Sequence, residues 1–268
     1  MPRPASALIA FALLGATVAH ADDAPPITGN VVVTSDYVFR GLSQTWSKPA
    51  IQGGGDYAAA SGFAAGFWAS SISRRSFPGA VMELDVYTSY GQSFGQGWSW
   101  RAGLYGYLYP GGNLDHAKPR LSSRPFNTLE ANFALGWKWL TLKYNRALTD
   151  YFGADVEEGY TGSTGGTSYM QLDAALPLRG AWSLTLHAGH THYPSSLFAP
   201  LPSGARKPDY SDYGATLKYQ LTAQWTLGGG VTRATNAAFY RHTVSLLDPG
   251  DTDDIGGTRG FVMVQGTF

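Results

Sequence analysis

Alternation of apolar and polar residues, in segments of about ten residues, recurs along the whole chain and constrains its fold more than any other feature. Met82, Leu84, Val86, Thr88 and Tyr90 share one face of such a segment, and Glu83, Asp85, Tyr87 and Ser89 share the other. From Thr128 to Trp137, Leu129, Ala131, Phe133, Leu135 and Trp137 alternate with Thr128, Glu130, Asn132, Ala134 and Gly136. About twelve segments of this kind run near 29–39, 49–59, 62–72, 80–90, 98–109, 126–137, 139–148, 167–176, 181–192, 210–219, 224–234 and 260–268. Their lengths suit tilted membrane strands, which need about 9–11 residues. Helical periodicity is scarce.

The connections carry the second signal. Ala60-Ser61, Gly91 to Gly97, Lys138, Pro177 to Gly180 and Gln220 to Ala223 are short, whereas the connections between them are mostly longer. One tie breaks the alternation, because Ser73 to Gly79 is no longer than Gly91 to Gly97. Outer-membrane barrels have short periplasmic turns and long extracellular loops, and an even-stranded barrel keeps both termini in the periplasm. The expectation is an all-β, antiparallel, up-and-down transmembrane β-barrel of about twelve strands.

The N-terminus fits export. Arg3 precedes an apolar run from Ala7 to Val18, and Ala19-His20-Ala21 forms an A-x-A cleavage box. Residues 1–21 therefore read as a cleaved signal peptide and 22–268 as a single barrel domain bound for the outer membrane. The apolar run is too short for a membrane-spanning helix, which needs about 20 residues, and no later segment is apolar enough to replace it. Charged residues make up only 14% of the chain, against roughly 25% in ordinary soluble domains. There is no cysteine, so no disulfide stabilises the fold in its oxidising destination. Formal charge is zero, which leaves no basic face for nucleic acid.

Aromatics cluster where a bilayer interface would lie. Phe63, Trp98, Trp139, Trp182 and Trp225 sit at or near the periplasmic start of successive upward strands, the position of an aromatic girdle. Phe268 closes the last alternating strand and resembles the C-terminal signal read by the barrel-assembly machinery. Gly266 stands where that signal usually has another aromatic. The final strand shows Val262 and Val264 on one face and Phe261 and Met263 on the other, so its facing is open.

The stretch Gly29-Asn-Val-Val-Val-Thr-Ser-Asp-Tyr-Val-Phe-Arg-Gly-Leu-Ser-Gln44 resembles the opening of the TorF-type porin family, also called the Gcw_chp family. The resemblance continues through Lys48-Pro-Ala-Ile-Gln-Gly-Gly54, Asp56-Tyr57, Ser61-Gly-Phe63, Gly66-Phe-Trp-Ala-Ser70, Glu83-Leu-Asp85 and Thr149-Asp-Tyr-Phe-Gly153. It covers most of the N-terminal half, and the C-terminal half matches mainly in style. It implies an outer-membrane β-barrel of poorly defined function and supplies no catalytic residues.

If the apolar faces meet lipid, the other faces line a lumen. That assigns Asp36, Arg40, Asp56, Glu83, Asp85, Arg101, Glu130, Lys143, Asp173 and Lys218 to the interior, with acids in excess. Trp68, Tyr105 and Tyr107 point the same way. Twelve strands lie between the filled eight-stranded barrel and the open sixteen-stranded porin. The expected function is a porin-like channel for small solutes through a narrow, mildly acidic lumen. The alternatives are a plugged structural or adhesive barrel acting through its loops, and an outer-membrane lipid hydrolase, which needs an outward Ser in register with a His. No enzyme activity, cofactor or metal is expected. His190 and His192 share a face without a third ligand, and Asp251, Asp253 and Asp254 read as a solvated loop. Gly53-Gly54-Gly55 lacks the ending of a phosphate loop and suits close strand approach. Expected partners are outer-membrane lipid and lipopolysaccharide, the barrel-assembly machinery and small solutes; the oligomeric state stays open.

Overall fold

The computed structural model describes residues 26–268, and the expected signal peptide lies outside them. Twelve strands close into one antiparallel barrel. They are β1 (Ile27–Thr34), β2 (Ala50–Ala58), β3 (Phe63–Ser71), β4 (Met82–Phe94), β5 (Trp98–Leu108), β6 (Thr128–Trp137), β7 (Leu140–Ala147), β8 (Ser168–Pro177), β9 (Trp182–His192), β10 (Tyr210–Gln220), β11 (Trp225–Ala234) and β12 (Arg259–Thr267). Each strand pairs with its sequence neighbour, and β12 closes the ring on β1 through pairs such as Val31↔Gly266 and Val33↔Val264. Among the described residues, closure leaves the barrel no unpaired strand edge, as lipid requires.

Alternation maps directly onto facing. Val33, Phe67, Val86, Leu104, Phe133, Leu172, Leu217 and Val262 stand exposed on the outer wall. A soluble domain does not present a continuous apolar belt of this kind. The last strand has Val262 and Val264 outside and Met263 buried inside, which resolves its facing.

Two boundaries differ from the sequence reading by more than two residues. Segment 29–39 ends as a strand at Thr34, and the chain then turns into the barrel mouth. Segment 80–90 continues to Phe94, paired with Trp98, so the turn after it shrinks to residues 95–97. Gly91 does not end the strand because it lies inside the ladder opposite Arg101. Gly95 and Gly97 take the positive φ angles of the turn instead. The tie between short and long connections thereby disappears: residues 59–62, 95–97, 138–139, 178–181 and 221–224 form the short-turn end, and all longer loops gather at the other.

Two glycine positions show how closely the strands pack. A Cβ on Gly54 would lie 2.5 Å from the Phe67 carbonyl oxygen and 3.1 Å from Trp68 Cα on the neighbouring strand. Gly54→Val is expected to cost about 1–3 kcal/mol by overpacking. Its gel-mobility transition on heating should fall well below that of the wild type, and an unchanged transition would refute the close-approach account. At the C-terminus, a Cβ on Gly266 would meet the Trp225 ring at 3.0 Å and the Phe268 ring at 3.1 Å. Trp225 and Phe268 pack edge to face, 5.9 Å between centroids. Trp225 of β11 and Phe268 thus fill the space beside Gly266.

Candidate functional site

The polar faces of the strands point into the barrel. Their charges divide between two walls. On β2 to β6 stand Asp56, Glu83, Asp85, Arg101 and Glu130; on β7 to β10 stand Lys143, Asp173, His187, Asp212 and Lys218.

Along the barrel most of these groups are hydrogen-bonded; Asp56, Arg101, Asp173 and His187 are half-buried, whereas Lys143, Lys218 and, toward the loop end, Asp212 are buried. Tyr87 donates to Asp56 at 2.6 Å and stacks on Tyr105 at 4.9 Å between centroids. Arg101 donates to Ser89 at 2.7 Å. On the facing wall His187 bridges two carboxylates, with Nδ1 at 2.6 Å from Asp173 and Nε2 at 2.7 Å from Asp212. Tyr169 donates to Asp212 at 3.1 Å, and Lys218 donates to Gln265 at 3.3 Å. Lys143 is buried beside Asp173.

Toward the loop end the lumen fills. Tyr37, Phe39, Trp68, Phe77, Tyr107, Tyr109 and Phe126 form a buried aromatic cluster. Its centre is the first loop, which folds inward. Val38–Phe39 pairs with Leu42–Ser43, leaving Arg40-Gly41 as a two-residue turn with φ of 47° and 78°. That geometry matches the type I′ hairpin turn, which needs positive φ at both central residues. The tip crosses the lumen. A Cβ on Gly41 would lie 2.6 Å from Asp212 Cβ on β10, while Arg40 reaches β6. Arg40 Nη1 and Nη2 donate to Glu130 at 3.0 and 2.7 Å, and Nη1 also donates to Tyr151 at 3.0 Å. The guanidinium lies 4.7 Å from the Phe39 ring centroid and 4.4 Å from that of Tyr169. A bidentate arginine over aromatic rings combines charge-assisted hydrogen bonds with cation–π attraction.

Asp36 is also drawn into the loop end. It accepts from Ser43 at 2.6 Å, from Thr45 at 2.9 Å and from Arg259 at 2.8 Å, and so pins the base of the hairpin to β12. Asp36 and Arg40 therefore act from the inserted loop rather than from the strand wall. Asp85 contrasts with both: it is 1% exposed, and neither carboxylate oxygen has a hydrogen-bond partner among the described residues.

The girdle candidates Phe63, Trp98, Trp139, Trp182 and Trp225 are exposed at the short-turn end, with Trp139 in the turn just before β7. Trp98 lies 6.0 Å from Trp137, and Trp182 lies 4.8 Å from Tyr219, so aromatic neighbours extend the set.

Other sequence candidates stay apart. Asp251 pairs with Arg75, Asp253 accepts from Ser47, and the Asp254 carboxylate caps Gly256. His192 Nδ1 contacts Asp209 at 2.8 Å, and His190 Nδ1 contacts Ser211 Oγ at 2.9 Å on the outer surface. No group of three potential metal ligands assembles among the described residues. The sequence reading passed over Asp212, Tyr169 and Tyr151. Asp212 shares parity with Lys218, so alternation alone places it inward.

Solved outer-membrane barrels share this architecture. A NanC porin, in a rhombohedral crystal form, superposes with a TM-score of 0.55 at 10% identity, over 89% of this chain and 98% of that one. The KdgM porin in complex with disordered oligogalacturonate gives 0.51 at 11% identity, over 90% and 98%. Among curated proteins no match is found. The profile of a family described as bacterial protein of unknown function matches residues 18–256, reaching well into the C-terminal half. With nearly the whole barrel matched, the chain belongs to the Gcw_chp family.

Proposed function

We propose that this barrel is a porin-like channel for small solutes, exported by a cleaved signal peptide to the outer membrane, with a narrow acidic lumen closed at its loop end by the hairpin 38–43. The observation that carries the reading is the Arg40–Glu130 clasp. It joins an inserted loop to the barrel wall where the half-exposed polar vestibule meets the packed aromatic end. A removable loop crossing a polar interior is the construction of a gated pore. The lumen-lining role rests on the charged inner faces of β2 to β10.

The charge balance favours cations. The KdgM porin was solved with an oligogalacturonate, a polyanion; the β2–β6 wall here offers Asp56, Glu83, Asp85 and Glu130 instead. The test is reconstitution in a planar bilayer. Stepwise conductance with a reversal potential favouring cations supports the channel, and no conductance in the wild type or in clasp variants overturns it.

The plugged, loop-acting alternative has the aromatic cap in its favour and predicts that second result. The hydrolase alternative has one contact behind it, Ser211 with His190. That contact uses Nδ1, and no carboxylate partners the ring among the described residues; the proposal is therefore a non-enzymatic protein.

Assembly is proposed to use Phe268, packed on Trp225, as the signal to the barrel-assembly machinery, with lipid and lipopolysaccharide around the finished barrel. Deleting Phe268 should cut the heat-modifiable form recovered from outer membranes several-fold, while refolding into detergent stays efficient. Equal recovery in membranes would refute the signal.

A further inference from the structure

Above the clasp the loops enclose a second feature. Five of the six long loops build a pocket of about 280 Å³ at the barrel mouth. Phe77, Phe126, Tyr151, Phe152, Tyr160 and Tyr193 supply its rings, and among the described residues Glu158 is the only carboxylate in its lining. Tyr151 and Phe152 lie between this pocket and the lumen, for Phe152 packs on Tyr107 at 5.8 Å and Tyr151 accepts from Arg40.

We propose that this pocket recognises a small organic cation carrying a substituted ammonium group. Aromatic faces carry negative charge density, so a ring-lined pocket attracts cations, most strongly where water is excluded. The polar groups agree in sign. Arg75, the only cation in the lining among the described residues, is already paired with Asp251 and lies 5.5 Å from the Trp46 ring centroid. Arg124, which acts on Glu158 from outside, is held by Asp150 at 3.1 Å and Asp155 at 2.6 Å. Glu158 is left as the uncommitted charge. One ring of the set already faces a cation, since the Arg40 guanidinium lies 5.8 Å from the Tyr151 ring centroid. A solute in the pocket would rest one layer above the clasp.

Glu158 also sets the pH at which the site works. Burial against the aromatic wall, reinforced by Asp155 and opposed by Arg124, pushes its carboxyl up to about 7. Tyr151, Tyr160 and Tyr193 are pushed up by burial and stay neutral through that range. The carboxylate is therefore charged above pH 7 and is lost as a cation partner below it.

This names a substrate class for the channel and so rests on that reading for its purpose, but binding is measurable without conduction. Isothermal titration of the folded protein in detergent with benzyltrimethylammonium chloride should show one saturable site at pH 8. Affinity should fall about tenfold at pH 6, following the ionised fraction of Glu158. Glu158→Gln should weaken binding at pH 8 and abolish the pH dependence while leaving gel mobility unchanged. The uncharged carbon isostere of the probe should bind at least about tenfold more weakly. Equal binding of the isostere, unchanged affinity in Glu158→Gln, or no binding at pH 8 would each overturn the proposal. Binding in a barrel that passes no current would leave it standing and remove the channel reading alone.

Discussion

Replacing Arg40 with alanine will raise single-channel conductance several-fold and lower the temperature at which the barrel unfolds. Both effects follow from one contact. The Arg40 and Glu130 side chains are 4% and 1% exposed, so the pair is desolvated on both sides. Removing one partner of a buried pair leaves the other charge uncompensated, at a cost of about 3–5 kcal/mol. The turn itself supplies no compensation, because Arg40 holds a φ of 47°, a region that costs a non-glycine residue about 1–2 kcal/mol. Without the clasp the tip relaxes out of the lumen. The base of the hairpin stays anchored by Asp36 on Arg259, so the loop opens like a flap rather than unfolding the mouth. Arg40→Lys should fall between the two, since an ammonium keeps the charge but loses the bidentate fork and the stacking. Gly41→Val attacks the tip by a separate route, through the close approach to Asp212, and should open the channel as well. Conductance of Arg40→Ala and Gly41→Val equal to the wild type, in barrels shown to be folded by gel mobility, would mean that hairpin 38–43 does not close the pore.

The barrel was legible in the sequence because lipid outside and polar groups inside force a period of two, and period two is visible in letters. Met82 to Tyr90 shows it, and the structure continues the same ladder to Phe94. The inserted hairpin was not legible for the same reason. Val38 and Phe39 extend the apolar run after Val31 to Val33, so the segment reads as one long strand. The chain leaves the ladder after Thr34 because Asp36 is claimed by Ser43, Thr45 and Arg259, and two of those three lie in the loop that the strand reading hides. Arg40-Gly41 is the local clue, a two-residue turn with glycine second, but arginine is an unusual first residue for a type I′ turn. Alternation likewise assigns Asp212 and His187 to the interior without indicating that they meet. Their contact depends on the register between β9 and β10, where His187 faces Gly214 and Asp212 faces Gly189, so the pair is diagonal. The loop-end pocket is the least legible part, because segments far apart in the chain build it and no periodicity links Phe77 to Tyr193.

Asp85→Asn combined with Glu83→Gln should bring the cation-over-anion permeability ratio close to unity without lowering thermal stability. The two residues point inward from β4, and the next inward carboxylate on that side, Glu130, is already neutralised by Arg40. With Asp56, they are the carboxylates of the β2–β6 wall that no cation pairs among the described residues. Both are 1% exposed. A charge in a narrow lumen with low-dielectric walls is screened less than one on the surface, so selectivity should persist at salt concentrations that abolish the effect of loop charges. Asp209→Asn, on the outer surface beside His192, serves as the comparison and should leave the reversal potential unchanged. The stability half of the prediction separates a solute-facing role from a structural one. A carboxylate that holds the barrel together has partners, and removing it destabilises. Among the described residues neither oxygen of Asp85 has one, nor does Oε2 of Glu83, and the tyrosines beside Glu83, Tyr37 and Tyr109, can donate equally to a glutamine oxygen; an unpaired buried charge costs the fold free energy. Neutralising it should hold or raise the unfolding temperature while selectivity collapses. A double variant that keeps its selectivity would show that these acids do not face the permeation path. One that unfolds at lower temperature would show that they bind the protein rather than the solute.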